Sequence, residues 1–171
     1  MPPCCVSGTF NRKVSIRQTL PLPMLRIEHV RTNLPQGFDQ LRKEARADGF
    51  TFMDRLAADW EGGRMRFDGE GERLLAAFAE DTLAAVGGLT IDAFVTGALR
   101  MRRFYVRPGF RRSGLGRRLV NVLLRQSRKR GQLVVANAAK GSEAFWAACG
   151  FIEDTNDNHT HVLPPAKVAE D

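Results

Sequence analysis

Phe104-Tyr-Val-Arg-Pro-Gly-Phe-Arg-Arg-Ser-Gly-Leu-Gly-Arg-Arg118 reads as a strand end, a glycine-rich loop and a helix start. Arg100 to Val106 is the strand, and Pro108-Gly109 ends it, because proline has no N–H to give to a ladder. From about Gly114 to Arg130, Leu115, Leu119, Val122 and Leu123 recur at helical spacing, which leaves Arg117, Asn121, Arg125 and Arg128 on the wet side. In the loop between them, Gly114 and Gly116 have no Cβ, so an anion can approach the backbone. The helix behind directs unpaired N–H groups at it. Arg111, Arg112, Arg117 and Arg118 add attraction, and a pyrophosphate is the natural occupant.

Two other glycine loops are excluded. A dinucleotide fingerprint needs a third glycine where Leu119 stands and an acid about 20 residues on, where the chain has none. A Walker A loop needs Gly-Lys-Ser/Thr, which is absent. The competing reading, in which both glycines serve only close packing at a helix start, stays open on the loop alone.

Upstream, Met24-Leu-Arg-Ile-Glu-His-Val30 alternates as a first strand. Phe38, Leu41 and Ala45, then Phe52, Leu56 and Trp60, mark two helices that stop at Gly49 and at Gly62-Gly63. Arg73 to Ala79 and Leu83 to Ile91 are apolar runs around the polar turn Glu80-Asp81-Thr82, a hairpin. Downstream, Leu133 to Ala136 is a short buried strand. Ser142 starts a helix with Phe145, Trp146 and Cys149 on its apolar stripe, and Phe151-Ile152 and His159 to Leu163 form a closing hairpin. This order predicts one α/β layered domain, a mixed sheet with helices on both faces.

The 171 residues suit one domain, and 43% hydrophobic content is enough to close a core. Residues 1–23 carry Arg12, Lys13 and Arg17 and no acid, and read as a disordered extension ahead of a domain over 24–171, with an organellar transit peptide as the alternative on the same Arg/Ser bias. No apolar run approaches the roughly 18 to 20 residues of a membrane span, so a soluble protein is expected. Cys4, Cys5 and Cys149 have neither metal-ligand nor disulfide spacing, which fits a reducing cytoplasm. The net charge is +7, and no acid occurs between Asp92 and Glu143, a stretch with half of the 26 Lys and Arg residues. Such segregation implies an anionic partner for this half of the fold.

Arg111-x-x-Gly114-x-Gly116, preceded by Tyr-Val-Arg-Pro and followed by Arg-Arg-Leu-Val, resembles the coenzyme A motif of the GNAT superfamily of N-acetyltransferases. Ala144-Phe-Trp-Ala-Ala-Cys-Gly-Phe151 is similar to a later motif of that family, and the order of elements agrees from Met24 to Leu163. The resemblance implies a single α/β (α+β) domain whose mixed central sheet is mostly antiparallel. It implies acetyl-CoA as co-substrate and a primary amine of a small molecule or peptide as acceptor. No metal is expected, because His29, His159 and His161 form no ligand constellation with Cys.

By that resemblance, the backbone of Phe104, Tyr105 and Val106 would pair with the pantetheine arm. Arg111, Arg112, Ser113, Gly114, Leu115, Gly116 and Arg117 would hold the pyrophosphate. Ala139, or the nearby Lys140 and Ser142, would border the far side, and Trp146 would serve as cofactor wall. Trp146 also stands where the family often has a tyrosine acid, and an indole N–H cannot protonate a thiolate. Tyr105 is a substitute candidate, and Asp92 and Glu143 are candidates for the base. Asp92 equally suits a turn start and Glu143 a helix N-terminus. Glu44, Asp48, Asp54 and Asp59 either attract a cationic amine or are solvated helix acids.

His159-x-His161 is expected to place two side chains on one exposed strand face, and Cys149 to pack. Two other readings remain: an acyl-CoA sensor without catalysis, and a basic nucleic-acid or ribosome-associated protein, which would need exposed stacking aromatics where Phe104, Phe145 and Trp146 suit a core or cofactor wall. Monomer or homodimer is expected, with a sheet edge near the C-terminal hairpin available for pairing.

Overall fold

The computed structural model describes residues 24–166. The extension expected over 1–23, with Cys4 and Cys5, and residues 167–171 lie outside the described residues. The elements are β1 (Leu25–His29), α1 (Phe38–Ala47), α2 (Phe52–Glu61), β2 (Arg73–Ala79), β3 (Thr82–Ile91), β4 (Leu99–Val106), a 3-10 turn (Pro108–Phe110), α3 (Leu115–Lys129), β5 (Val134–Ala136), α4 (Glu143–Ala148), β6 (Ile152–Glu153) and β7 (His161–Leu163). The strands form one sheet in the order β1-β2-β3-β4-β5-β7-β6, and every neighbouring pair is antiparallel except β4 and β5.

Two cores sandwich the sheet. Along β2, Leu75, Ala77 and Ala79 pack with Leu119 and Leu123 of α3, while Leu74, Ala76 and Phe78 pack with Leu41 of α1 and Leu56 and Trp60 of α2. A central strand covered on both sides needs apolar residues at every position, so β2 and β3 read as unbroken runs. Leu41, Leu56, Leu119 and Leu123 are fully buried. Such side chains each contribute on the order of 1.5–3 kcal/mol.

β4 departs from simple alternation. Between the pairs Gly88↔Arg102 and Val86↔Tyr105, β3 supplies Gly87 alone whereas β4 supplies both Arg103 and Phe104. Arg103 absorbs the extra residue with φ 52, a bulge that shifts the phase of the strand. Leu99, Met101, Phe104 and Val106 therefore pack toward α3, while Tyr105 packs with the α1–α2 core.

β4 also parts from its other neighbour. The parallel pairing with β5 covers only Leu99↔Val134 and Arg100↔Val135, so Met101 to Val106 run on with β3 as their single partner. A wedge opens in the sheet at this point.

One expectation is corrected. His159 and His161 are buried, at 5% and 6% exposure, rather than on an exposed face. β7 lies between β5 and β6 and pairs with both. Its approach is fixed by the Thr160 N–H donating to Ala136 O at 3.1 Å. His159 Nε2 meets Asn156 Nδ2 at 2.9 Å, and His161 Nδ1 meets the Thr160 hydroxyl at 2.9 Å.

Arg42 and Arg46 of α1 clamp Asp54 of α2 at 2.5 and 2.7 Å. Arg46, then Arg42, hold the Asp54 carboxyl down to about 2, from an ordinary 3.8. A folded value below the unfolded one stabilises above the unfolded value and is lost as pH falls through the folded one. Urea midpoints are therefore expected to drop between about pH 4 and pH 2. In Asp54→Asn the drop is shallower, and an unchanged profile contradicts the clamp.

Candidate active site

The wedge is the mouth of a cavity of about 820 Å³. One wall is the unpaired edge of β4, and the opposite wall is the segment after β5, with Asn137, Ala139, Lys140, Gly141 and Ser142. The Arg107 N–H donates to Ala84 O at 2.9 Å. By alternation of the antiparallel ladder, Tyr105 also faces β3, and Phe104 and Val106 turn their amides to the open edge. Val106 O agrees with this, since it accepts from Arg111 Nε at 2.9 Å on that side.

An aromatic group floors the wedge. Trp146, at 5% exposure, stands edge-on to Phe104, Phe145 and Phe151 at centroid distances of 5.4, 5.2 and 5.2 Å. Such pairs each add about 0.5–1.5 kcal/mol beyond area burial. Ser142 precedes α4 without capping it, because its hydroxyl donates to Ala139 O at 2.7 Å and so fixes the turn that presents residues 139–142.

The loop ahead of α3 divides its work among its residues. Gly114 has φ +81, and a Cβ placed there would meet nothing within 4 Å, whereas a Cβ on Gly116 would lie 3.1 Å from Phe145 Cε2 and 3.2 Å from Val106 Cγ2. Gly116 thus serves close packing, and Gly114 supplies a left-handed turn with open space before it. The Arg118 N–H, bonded to Gly114 O at 3.0 Å, opens the helical ladder. The amides of Leu115, Gly116 and Arg117 precede it, as unpaired donors at a helix start.

Several of the expected loop residues act through structure. Leu115 is core at 6% exposure and Ser113 Oγ donates to Phe110 O at 2.6 Å. Neither belongs to the cavity wall, where Arg112, Gly114, Gly116 and Arg117 do. Arg111 lines the cavity but is tied to Asp48 at 2.5 Å and to Val106 O, and lies over the Tyr105 ring. Arg112 and Arg118 have no acidic partner among the described residues.

The three catalytic candidates separate in space. Tyr105 lines the cavity and its hydroxyl donates to Asp48 Oδ2 at 2.7 Å. Burial, then Asp48, pushes its phenol well above the ordinary value, so it stays protonated. The Tyr105 hydroxyl, then Arg111, hold the Asp48 carboxyl below the usual range. Asp92 lies outside the cavity wall, where its carboxylate meets Arg100 Nε at 2.5 Å and accepts from the Phe94 and Val95 amides at 2.9 and 2.6 Å. Burial pushes this carboxyl up, but the Val95 amide, Arg100 and the Phe94 amide outweigh it and leave a net lowering. Glu143 is exposed in the first turn of α4, also away from the wall.

Among the described residues, no Asp or Glu lines the cavity, and no cluster of His, Cys, Asp or Glu is placed to hold a metal ion. No helix is long and apolar enough to cross a membrane among those residues. Cys149 packs in the core, where burial pushes its thiol up against the pull of Arg117 and Arg128.

The sequence did not point to a second set of wall residues: Arg55 on α2 and Arg100, Arg102 and Arg103 on β4. The acid-free charge run contained three of them. Arg100 and Arg102 share a face by alternation, and the bulge at Arg103, for which the residue pattern gives no signal, brings Arg103 to that face and turns Phe104 to the other.

The model of the acetyltransferase (GNAT) family matches residues 37–151. No curated protein sequence matches the chain. Among solved structures, a candidate acetyltransferase from Exiguobacterium sp. 255-15 is similar with a TM-score of 0.72 at 22% identity, over 82% of this chain and 93% of that one. A GNAT family N-acetyltransferase from Escherichia coli, solved with CoA, is similar with a TM-score of 0.61 at 16% identity, over 86% and 85%. The PaiA N-acetyltransferase from Thermoplasma acidophilum, in complex with coenzyme A, gives a TM-score of 0.58 at 15% identity, over 82% and 98%. At these identities the likeness establishes the fold.

The Asp92–Arg100 pair is buried at both ends, with side-chain exposures of 0% and 4%. Asp92→Ala leaves Arg100 without its counterion and is expected to cost about 3–5 kcal/mol in urea unfolding. Glu143→Gln stays within about 1 kcal/mol, the scale of a charge at a helix terminus. Equal stability of Asp92→Ala and the unaltered protein contradicts a structural role for Asp92.

Proposed function

The chain belongs to the acetyltransferase (GNAT) family, and on that premise we propose that it transfers an acetyl group from acetyl-CoA to a primary amine of a small molecule or peptide, by direct attack in a ternary complex. The observation that carries this reading is the unpaired edge of β4 at Phe104 to Val106, leading into the open N–H cradle at Gly114.

The residues suit the co-substrate. The amides turned outward at Phe104 and Val106 offer strand-like pairing to an extended arm that carries its own amides. The pyrophosphate belongs at Gly114 to Arg117, where unpaired N–H groups and the α3 dipole favour an anion, with Arg112 and Arg118 nearby. Arg111, tied to Asp48, caps the end of this edge by donating to Val106 O. Phe104, Phe145 and Trp146 give the arm an apolar wall.

Acetyl-CoA supplies the acyl carbon as a thioester whose thiol leaves readily, since a thiol near pKa 8.5 needs little help from an acid. The amine nitrogen forms the new C–N bond, the C–S bond breaks, and the amine proton and the thiolate are balanced through solvent. Positioning by the β4 edge is the main contribution. A backbone N–H aimed at the carbonyl oxygen adds on the order of 2.7–4 kcal/mol where such donors have been removed elsewhere.

No carboxylate base is needed in this scheme. The cavity wall carries arginines and no acid, and like charge disfavours an ammonium ion, so the amine is held in its neutral, nucleophilic form. Tyr105 is our candidate for orienting that amine, since its hydroxyl is fixed by Asp48 and stays neutral. Asp92 and Glu143 have no part in this scheme.

Calorimetry with acetyl-CoA and thiol release across a panel of amines test the proposal. Gly114→Glu fills the open space before the loop with a carboxylate and is expected to weaken acetyl-CoA binding by more than about tenfold, or 1.4 kcal/mol. The rate on any accepted amine should rise with pH along the amine's own ionisation, with no inflection in the carboxylate range. Tight binding without turnover on any amine favours the acyl-CoA sensor reading, and unaltered binding by Gly114→Glu overturns the site.

A further inference from the structure

The donor reading leaves one wall of the cavity unused. Arg100 and Arg102 pair across the ladder with Thr90 and Gly88, and a Cβ on Gly88 would meet Phe67 of the α1–α2 core at 2.4 Å. Cross-strand partners share a face, so both arginines stand on the α1–α2 side of β4. Arg103 reaches Asp59 of α2 on the same side, at 3.0 Å, and Arg55 projects from α2 into the same cavity. The glycine loop and the Phe104–Phe145–Trp146 wall belong to the α3 side. The cavity therefore has two cationic regions, on opposite faces of one strand.

The four guanidinium groups of the second region are short of acids. Asp92 pairs with Arg100, and Asp59 divides itself between Arg103 and Arg64. Arg102 donates to the neutral Thr90 hydroxyl at 3.0 Å, and neither it nor Arg55 has an acidic partner among the described residues. Two donors are buried without any partner: Nη2 of Arg100, a residue only 4% exposed, and Nε of Arg103. A buried, unsatisfied polar group costs about 1–3 kcal/mol, and more when charged. Burial and mutual repulsion push the Arg102 guanidinium below its ordinary value, and burial does the same to Arg103. A bound anion would offset the uncompensated charge of the guanidinium groups that line the cavity, and arginine's planar fork suits a carboxylate or a phosphate.

We propose that this arginine wall is an anion clamp for the acceptor, so that the amine acetylated by this protein also carries a carboxylate or phosphate group. The inference rests on the transfer reading above and narrows its acceptor. Polyamines and lysine-rich peptides are disfavoured, because they would meet cations of their own sign with no acid on the wall to receive them.

The test uses the full chain, acetyl-CoA and matched acceptors: phosphoethanolamine and glutamate against ethanolamine and spermidine. At least one anionic acceptor is expected to exceed ethanolamine in kcat/KM by about tenfold or more, equivalent to 1.4 kcal/mol. The two anionic arms tell a phosphate clamp from a carboxylate clamp. In an Arg55→Gln/Arg102→Gln variant that preference should collapse while the affinity for CoA is kept. A second readout needs no turnover: inorganic phosphate should bind the CoA-saturated protein, and bind about tenfold more weakly to Arg102→Gln.

Ethanolamine or spermidine as good as both anionic acceptors overturns the clamp. So does phosphate that competes with CoA instead of binding beside it, or binding that Arg102→Gln leaves unaltered. Failure of CoA to bind would instead defeat the transfer reading, while phosphate titration of the free protein against Arg102→Gln still reads the arginine wall.

Discussion

Along its outer half β4 has a partner strand on one edge only. Backbone amides and carbonyls inside a protein are almost always paired, so a strand with one edge left open next to an aromatic floor invites a partner with its own amides. The sheet keeps the edge open by several means. β5 ends at Ala136, and the chain then turns through residues 137–142 to form the far wall. The bulge at Arg103 aims Phe104 into the aromatic group, where a Cβ on Gly87 would come within 2.5 Å of its ring. Phe145, Trp146 and Phe151 then hold α4 away from β4.

The end of that strand is anchored to α1 by charge. Arg107 grips Glu44 at 2.7 Å and Leu83 O at 2.8 Å, Arg111 grips Asp48, and the Tyr105 hydroxyl donates to Asp48. These contacts occupy acids of the early helix that would otherwise be free to meet an amine. The acid-free cavity is thus a consequence of how the strand is held. The cationic walls on its two faces follow from the same arrangement, one at a helix start suited to a diphosphate and one against α2.

Much of the architecture was legible because it depends on local pattern. The unbroken apolar runs of β2 and β3, the stripe of α3 and the Pro108-Gly109 stop have one physical reading each. The loop was ambiguous for a good reason, since Gly116 does serve packing, as its contacts with Phe145 and Val106 show, while Gly114 has open space and a positive φ. That Arg103 shares a face with Arg100 and Arg102 was not legible, because a single bulged residue shifts the phase of the strand at that point. The burial of His159 and His161 was missed too, since β7's interior place in the sheet depends on pairing with β5, far away in sequence.

Amide hydrogen exchange with and without CoA tests the open edge most directly. Amides in an open edge and at a helix start exchange readily until a ligand accepts from them. CoA is expected to slow exchange at Phe104, Val106 and Gly114 to Arg117 and to leave β1 and β2 unaltered. Binding of CoA with no added protection at Phe104 and Val106 would contradict it.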